Sequence, residues 1–457
     1  MSTPNQAPYY PPRPRSIFGP LVLITLGILF LLLTTGIVPS RTLGWWFVHY
    51  WPLLLILWGA VKMIEYMVAR SRGEPAPRVG SGAIVFLVFF TLFGTTVTRT
   101  ASWNWHGMLN DTGMDDSDFD FFSNRYSFTE NFAQPLVGDT QIKVLGGLGD
   151  INVTASADAQ AHVVVHKILR TDSQENADKL NNTTHAKFTQ QGGIWLLDMT
   201  SGGFEHGRYD LDLQLPQKAP VSLTVRRGNL SVAQRDGNVD LSTDHGNVSA
   251  ESVKGSASFH VRNGSITVKN VTGNVQVDGE VEDGNIADVD GTLEFNAGYN
   301  GDIELARIKQ RLHFKSVRTD MQLAKLDGEL NLGHGELRGS SVAGPFKLNT
   351  RSNEVRLEGV SGQIDIENRN GLVELKTKAP LGTIDINNVH GGIEIDLPGN
   401  AGFKLDAESH DGNIESEFNI NIDNSGKDAT AHGAVGKGGP DVRLRADRGT
   451  IHIHKAE

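Results

Sequence analysis

Glycine stands at positions 228, 237, 246, 255, 264 and 273, six times at a spacing of nine residues. A unit that short cannot bury a core of its own, so the period belongs to a structure that stacks on itself. The residues after each glycine show what is stacked. Gly228 is followed by Leu230 and Val232, Gly237 by Val239 and Leu241, Gly264 by Ile266 and Val268, and Gly273 by Val275 and Val277. Side chains alternate along a strand, so apolar residues at the second and fourth positions share one face. The positions between them are mostly polar and suit the solvated face. Each unit reads as a short strand plus a corner, with glycine supplying the φ > 0 of a tight bend.

Two units make one rung, and the series Gly237, Gly255, Gly273, Gly291 keeps the doubled spacing. The beat slips near 279–284 and 306–340, then returns with Gly344 and Gly362, which stand the same distance apart. Ile364/Ile366, Val373/Leu375, Ile384/Ile386 and Ile393/Ile395 continue the inward pairs. The expected fold of residues 138–457 is therefore all-β, a β-solenoid (β-helix) of about 18 residues per rung. Asn229, Asn238, Asn247, Asn274 and Asn285 each follow a glycine and are expected to stack as corner ladders. A β-sandwich of successive hairpins is the competing architecture, since its turns also recur every ~8–12 residues. The regular same-phase repeat and the near absence of long loops favour the solenoid. Before the glycine series, 172–186 reads as a helix opened by an Asp172 or Ser173 cap.

The first hundred residues follow different physics. Ile17 to Val38 is a run of 22 residues without a charge, long enough to cross a bilayer as a helix. With 45–67 and 82–98 it predicts three transmembrane α-helices within 17–100, after a cytoplasmic tail at 1–16. A cleaved signal peptide fits poorly, because no small-residue cleavage site follows and two more apolar runs do. Arg13 and Arg15 precede the first run, and Arg70, Arg72 and Arg78 separate the second from the third. Positive charge stays inside, so the amino terminus and second loop are expected in the cytoplasm and residues beyond 100 outside it. Lys62 and Glu65, three apart, read as an anchoring pair. The chain is placed as a multi-pass protein of a bacterial cytoplasmic (inner) membrane, held in the bilayer through residues 17–98.

Charge separates the two parts. Residues 1–100 hold eight Lys/Arg and two Glu, a net of +6; the remainder holds 42 − 8 = 34 basic and 53 − 2 = 51 acidic residues, a net of −17. So acidic a domain repels phosphate backbones, and nucleic acid is not expected as a partner. Residues 101–137 read as an acidic linker, and Asp115, Asp116, Asp118 and Asp120 lack the glycine and terminal glutamate of an EF-hand loop. The absence of cysteine removes thiolate metal sites and thiol nucleophiles.

No motif in the sequence gathers converging chemical groups. LGGLGDI at 145–151 has the wrong spacing for a dinucleotide loop and runs from strand to strand, so it reads as a turn. His452 and His454 share one strand face and could grip a metal with a third ligand. His245, His260, His313, His334, His390 and His410 are scattered among the repeats. Surface histidines are the expected reading, and no catalytic, cofactor-binding or metal residue is assigned. Asp and Glu are spread over outward positions rather than gathered in a cleft, which disfavours a polysaccharide-acting β-helix enzyme.

Two resemblances add to this. FGPLVLITLGILFLLLTTGIVPS followed by WPLLLILWGAVKMIEY resembles the LiaI/LiaF-like transmembrane region of bacterial envelope proteins, over about residues 15–68. GDINVTA, DLDLQLPQKAPVSLTVRRGNLSV, IEIDLPGNAGFKLDAESHDGNIESEF and GKGGPDVRLRADRGTIHIHK are similar to a bacterial β-strand-repeat family labelled as adhesins of unknown function, over about 138–457. The first resemblance implies a link to envelope-stress sensing; the second implies the repeat fold. The expected function is a membrane-anchored, non-enzymatic scaffold or interaction protein of the cell envelope. The alternative is a surface adhesin or glycan-binding module, with an envelope protein or glycan as partner.

Overall fold

The computed structural model describes residues 124–456, apart from 137–139, 159, 172, 205–206 and 352–353, together with twelve positions between 50 and 91. Contacts divide the chain after Asn124. In the first unit the described positions from Tyr50 to Ser71 are helical, and Leu53, Ile56, Met63 and Met67 are exposed. Among the described residues no helix is long and apolar enough to cross a membrane. The expected spans 17–38, 45–67 and 82–98 lie wholly or mostly outside the described residues, as do Lys62, Glu65 and the acidic cluster 115–120.

The second unit is built from stacked strands. Val239–His245 pairs in parallel with Val221–Arg227 on one side and Ala257–Val261 on the other, Val239 facing Val221 and Ala257. Val248–Val253 sits in the same way between Leu230–Arg235 and Ile266–Val271. Each rung thus has two walls, and each residue pairs with its equivalent one rung away. Leu223, Leu241, Phe259, Val277, Phe295 and Phe314 follow one another in register inside the first wall, all fully buried. Burying each such side chain contributes about 1.5–3 kcal/mol. The Phe295 and Phe314 rings stack at 4.7 Å and 12°.

The corners depart from expectation in an informative way. Gly228, Gly246 and Gly264 do have φ of 150°, 141° and 151°. At Gly255 and Gly273 the demand is proximity instead: a Cβ on Gly255 would lie 2.6 Å from the carbonyl of Gly237 in the preceding rung. The left-handed residues of that corner are Gln234, Ser252, Asn270, Asp288 and Arg307, with φ between 51° and 59°. They bend the second wall and return the next residue, such as Val253, to the interior.

The corner ladders form as side chain to backbone bonds. Asn229 Oδ1 accepts from the Asn247 N–H at 2.8 Å, and Asn247 Oδ1 from the Ser265 N–H at 2.9 Å. On the other corner, Asn238 receives Ser256, and Asn274 receives Thr292, both at 3.0 Å. Asn285 is a correction: Gly284 occupies an inward position facing Ile266, and Asn285 donates to Glu304 on the flat wall. The register is intact up to this rung, and Asp283 takes the corner place, its carboxylate accepting from the Asp302 N–H at 3.0 Å.

A single unbroken solenoid is also corrected. Thr319–Leu332 runs antiparallel to Ile303–Ile308 and Leu312–Lys315 on one side and to Glu336–Ser340 and Val342–Thr350 on the other. It joins two parallel stacks that run in the same direction. The second holds the long strands Glu354–Asn370 and Val373–His390. Strand structure also starts earlier than residue 138, at Asn124–Pro135. The helix Gln174–Thr183 forms as expected, with the Asn176 N–H donating to Ser173 Oγ.

Both ends of the unit are intercalated rather than sequential. Ile142–Leu148 and Ile151–Ser156 lie between Ile194–Met199 and Gly207–Pro216 on one side and Val221–Arg227 and Leu230–Arg235 on the other. At the far end, Asp441–Arg448 slots between Val373–His390 and Phe403–Ser409, and Ile451–Ala456 between Ile393–Pro398 and Ile414–Ser416. The last strand edge is blunted by Asn424, whose amide bonds both the N–H and the carbonyl of Ile414 at 3.1 Å.

Candidate functional surface

The histidines singled out in the sequence lie on the outside of the stacks, and several meet carboxylates. His452 and His454 project from the intercalated last strand with parallel rings 6.1 Å apart. Their Nδ1 atoms lie 3.3 Å from Glu415 and Glu417 respectively. His410 contacts Asp428, and His313 lies 3.3 Å from Asp320. Among the described residues no group of three or more His, Asp or Glu is placed to hold a metal ion. Gly149, within LGGLGDI, is a stack corner: a Cβ there would sit 2.2 Å from the Tyr209 carbonyl oxygen.

Outward charges pair across rungs, because the parallel register sets equivalent positions of successive rungs side by side. Arg307 grips Asp288 with two bonds of 2.6 and 2.9 Å, and Lys309 lies 2.7 Å from Asp290. Hydrogen bonding from Arg307 holds the Asp288 carboxyl below its usual range. Lys376 reaches Glu358 at 2.8 Å, which raises the ammonium and lowers the carboxyl. Two shallow depressions follow these rows. One is bounded by Asp288, Arg307, Lys309 and Lys325, the other by Glu329, Arg338, Arg356 and Glu358. Straight rows of fixed, exposed donors and acceptors are chemistry for recognising an extended partner.

Two buried charges went unnoticed in the sequence. Arg235 is fully buried and donates to the carbonyls of Leu215, Pro216 and Ala219 at 2.6–2.7 Å. Burial pushes its guanidinium down to about 10. Its bonds fasten the crossover that carries the chain past the intercalated first rung. Lys167, 1% exposed, lies 2.6 Å from Glu130 and donates to the Thr184 carbonyl. It ties the first strand, Asn124–Pro135, to the helix-bearing cap. The signal was available for Arg235: in the rung register it takes the place of Val253. Lys167 lies outside the glycine series, where no register was legible.

Comparison with known proteins adds the following. A family described as Toastrack DUF4097 matches residues 141–454, and one described as the LiaF transmembrane domain matches residues 18–109. Among solved structures, the chain is similar to a "putative cell adhesion protein" from Clostridium sporogenes, with 11% identity, 73% of this chain and 100% of that one covered, and a TM-score of 0.17. It is also similar to a "putative adhesin" from Bacteroides fragilis, with 12% identity, 72% and 97% covered, and a TM-score of 0.18. A "putative lipid binding protein" from Parabacteroides distasonis matches at 9% identity, 72% and 97% covered, and a TM-score of 0.16. No curated protein matches the chain.

Proposed function

The chain belongs to the Toastrack DUF4097 family, and on that premise we propose that it is a membrane-anchored, non-enzymatic scaffold or interaction protein of the bacterial cell envelope, acting in envelope maintenance or stress signalling. One observation carries the reading. A segment matching the LiaF transmembrane domain at 18–109 is joined in one chain to a stacked β-unit whose outer rows present paired charges. The proposed arrangement is three spans at 17–38, 45–67 and 82–98, with the β-unit on the extracytoplasmic side. Its basis is the distribution of arginine around the apolar runs.

A second reading, a surface adhesin or glycan-binding module, draws on the same straight rows, which suit a linear polymer. Reporter fusions after residue 137 and at the carboxyl terminus, with protease access in spheroplasts, test the shared premise. Activity of extracytoplasmic reporters and cleavage from outside are expected. Protection of the β-unit in intact spheroplasts would overturn the envelope reading and the adhesin reading together.

A further inference from the structure

One corner of the second stack carries positive charge that the protein leaves uncompensated. Thr319 pairs with Thr350, and Thr350 with Asn368. Arg318, Arg351 and Arg369, each next to one of these, therefore project from three neighbouring strands, and the Arg351 N–H donates to the Arg318 carbonyl at 3.2 Å. At the same corner, one residue further along the chain, His390 and Arg448 face each other across the next two strands, with His390 opposite Asn370 rather than Arg369. All five residues are exposed. Among the described residues none of the four guanidiniums has a carboxylate within 4.0 Å.

That is unlike the flat faces of the same stack. There Lys347 lies 3.3 Å from Asp365, Arg356 2.6 Å from Glu354 and Lys376 2.8 Å from Glu358. The acids nearest in sequence do not serve the corner: Asp320 lies 3.3 Å from His313, and Glu354 is held by Arg356. Asp447 lies beside Arg448 at the far end of the line. Like charges side by side on adjacent strands destabilise a sheet. A row of them, in a region of net charge −17 beyond residue 100, calls for a ligand of opposite sign.

We propose that this corner is a binding stripe for a linear polyanion, a polymer bearing phosphate or carboxylate groups at short, regular intervals. Strand spacing sets the three arginines ~4.8 Å apart, a cationic row of roughly 10 Å that Arg448 extends at the far side of the corner. The geometry favours a thread over a lipid surface. The unpaired charges are confined to a line along the stack axis, and the flat faces on either side carry cations already paired with carboxylates, so no broad cationic face is offered to a bilayer. The partner class deepens the envelope reading above and rests on it for its biological setting, though the binding itself does not.

The test uses the full chain in a neutral detergent. The probes are inorganic polyphosphate and polygalacturonate, with neutral dextran and soluble short-chain phosphatidylglycerol as comparisons. At least one polyanion should bind in a salt-sensitive manner, and the combined Arg318→Gln, Arg351→Gln and Arg369→Gln variant should weaken it at least about tenfold. A matched variant of paired cations outside the two depressions, Lys347→Gln, Arg443→Gln and Arg445→Gln, whose partners are Asp365, Asp385 and Glu408, should change it less than about threefold. Thermal unfolding of the arginine variant should stay level or rise, because repulsion is removed. No polyanion binding, equal losses in both variants, or binding of phosphatidylglycerol alone would overturn the proposal. A cytoplasmic β-unit in the topology experiment would overturn the envelope reading while leaving these affinities standing.

Discussion

Arg235 occupies the inward position that Val253 holds one rung later, the two facing each other in register. The row then runs Val271, Val289 and Ile308, all buried. One charged residue in an aliphatic row needs a specific reason, and it is the crossover at 216–219. Removing the side chain would take the guanidinium from the Leu215, Pro216 and Ala219 carbonyls, of which Pro216 keeps the Ala219 N–H at 3.2 Å. Arg235→Ala should therefore cost on the order of 3 kcal/mol, measured by denaturant unfolding of the full chain. A loss below about 1 kcal/mol would mean that the crossover is held by other contacts.

Gly255 tests close approach separately from backbone conformation. Its φ lies outside the left-handed region, yet a Cβ would meet the Gly237 backbone at 2.6 Å. Gly255→Ala should cost more than about 2 kcal/mol by prying two rungs apart. Gly192 has φ of 59° with nothing within 4 Å of a Cβ, so Gly192→Ala should cost only about 1 kcal/mol. The reverse order would show that conformation rather than stacking selects glycine.

Val275 and Gln276 are neighbours on opposite faces of one strand, Val275 1% exposed and Gln276 outward. Val275→Asp would place a carboxylate in the stack and should destabilise by more than about 3 kcal/mol, with hydrogen exchange rising in the adjoining rungs. Gln276→Asp should stay within about 1 kcal/mol of the parent. Equal sensitivity would contradict the register.

The far end should be acid-sensitive. Glu417 accepts the Lys455 N–H at 2.7 Å and lies 3.3 Å from His454 Nδ1; these, the backbone bond foremost, hold its carboxyl below the usual range. A carboxyl lower in the folded than in the unfolded state contributes stability above its unfolded pKa, and loses it as pH falls through the folded value. Hydrogen exchange in 451–456 should therefore rise as pH drops below about 4, once corrected for intrinsic rates. In Glu417→Gln it should be higher at neutral pH and respond less to acid. Identical pH profiles in the two proteins would remove Glu417 as the cause.

The regular rungs were readable because their code is local. Val239 and Leu241, Ile266 and Val268, and Val275 and Val277 declare an inward face by alternation alone, and the glycine beat places the corners. Asn229 and Asn247 could be recognised as ladder members for the same reason. Where the beat slipped, the reading lost phase, as at Asn285, and it missed the antiparallel strand Thr319–Leu332. That strand has the same alternating pattern as its parallel neighbours, and alternation carries no sign of direction. The candidate surface was less legible still. The pairing of Arg307 with Asp288 depends on a rung one residue longer than most of those before it in the first stack.

The sequence by itself determined that a positively flanked apolar segment precedes an acidic unit of stacked strands, and it showed which residues of the regular rungs face inward. It also set the length of a rung, through the doubled glycine spacing. Those properties follow from local alternation, glycine spacing and charge composition. Only the tertiary structure decided who sits beside whom. Leu230 is sandwiched between Val248 of the following rung and Ile151 from the distant start of the unit, and Ile451 lies between Ile393 and Ile414. A strand's two edges present the same backbone donors and acceptors to any partner. The choice of neighbour is made by which arrangement buries the whole core and satisfies groups such as Arg235, which is a property of the complete stack.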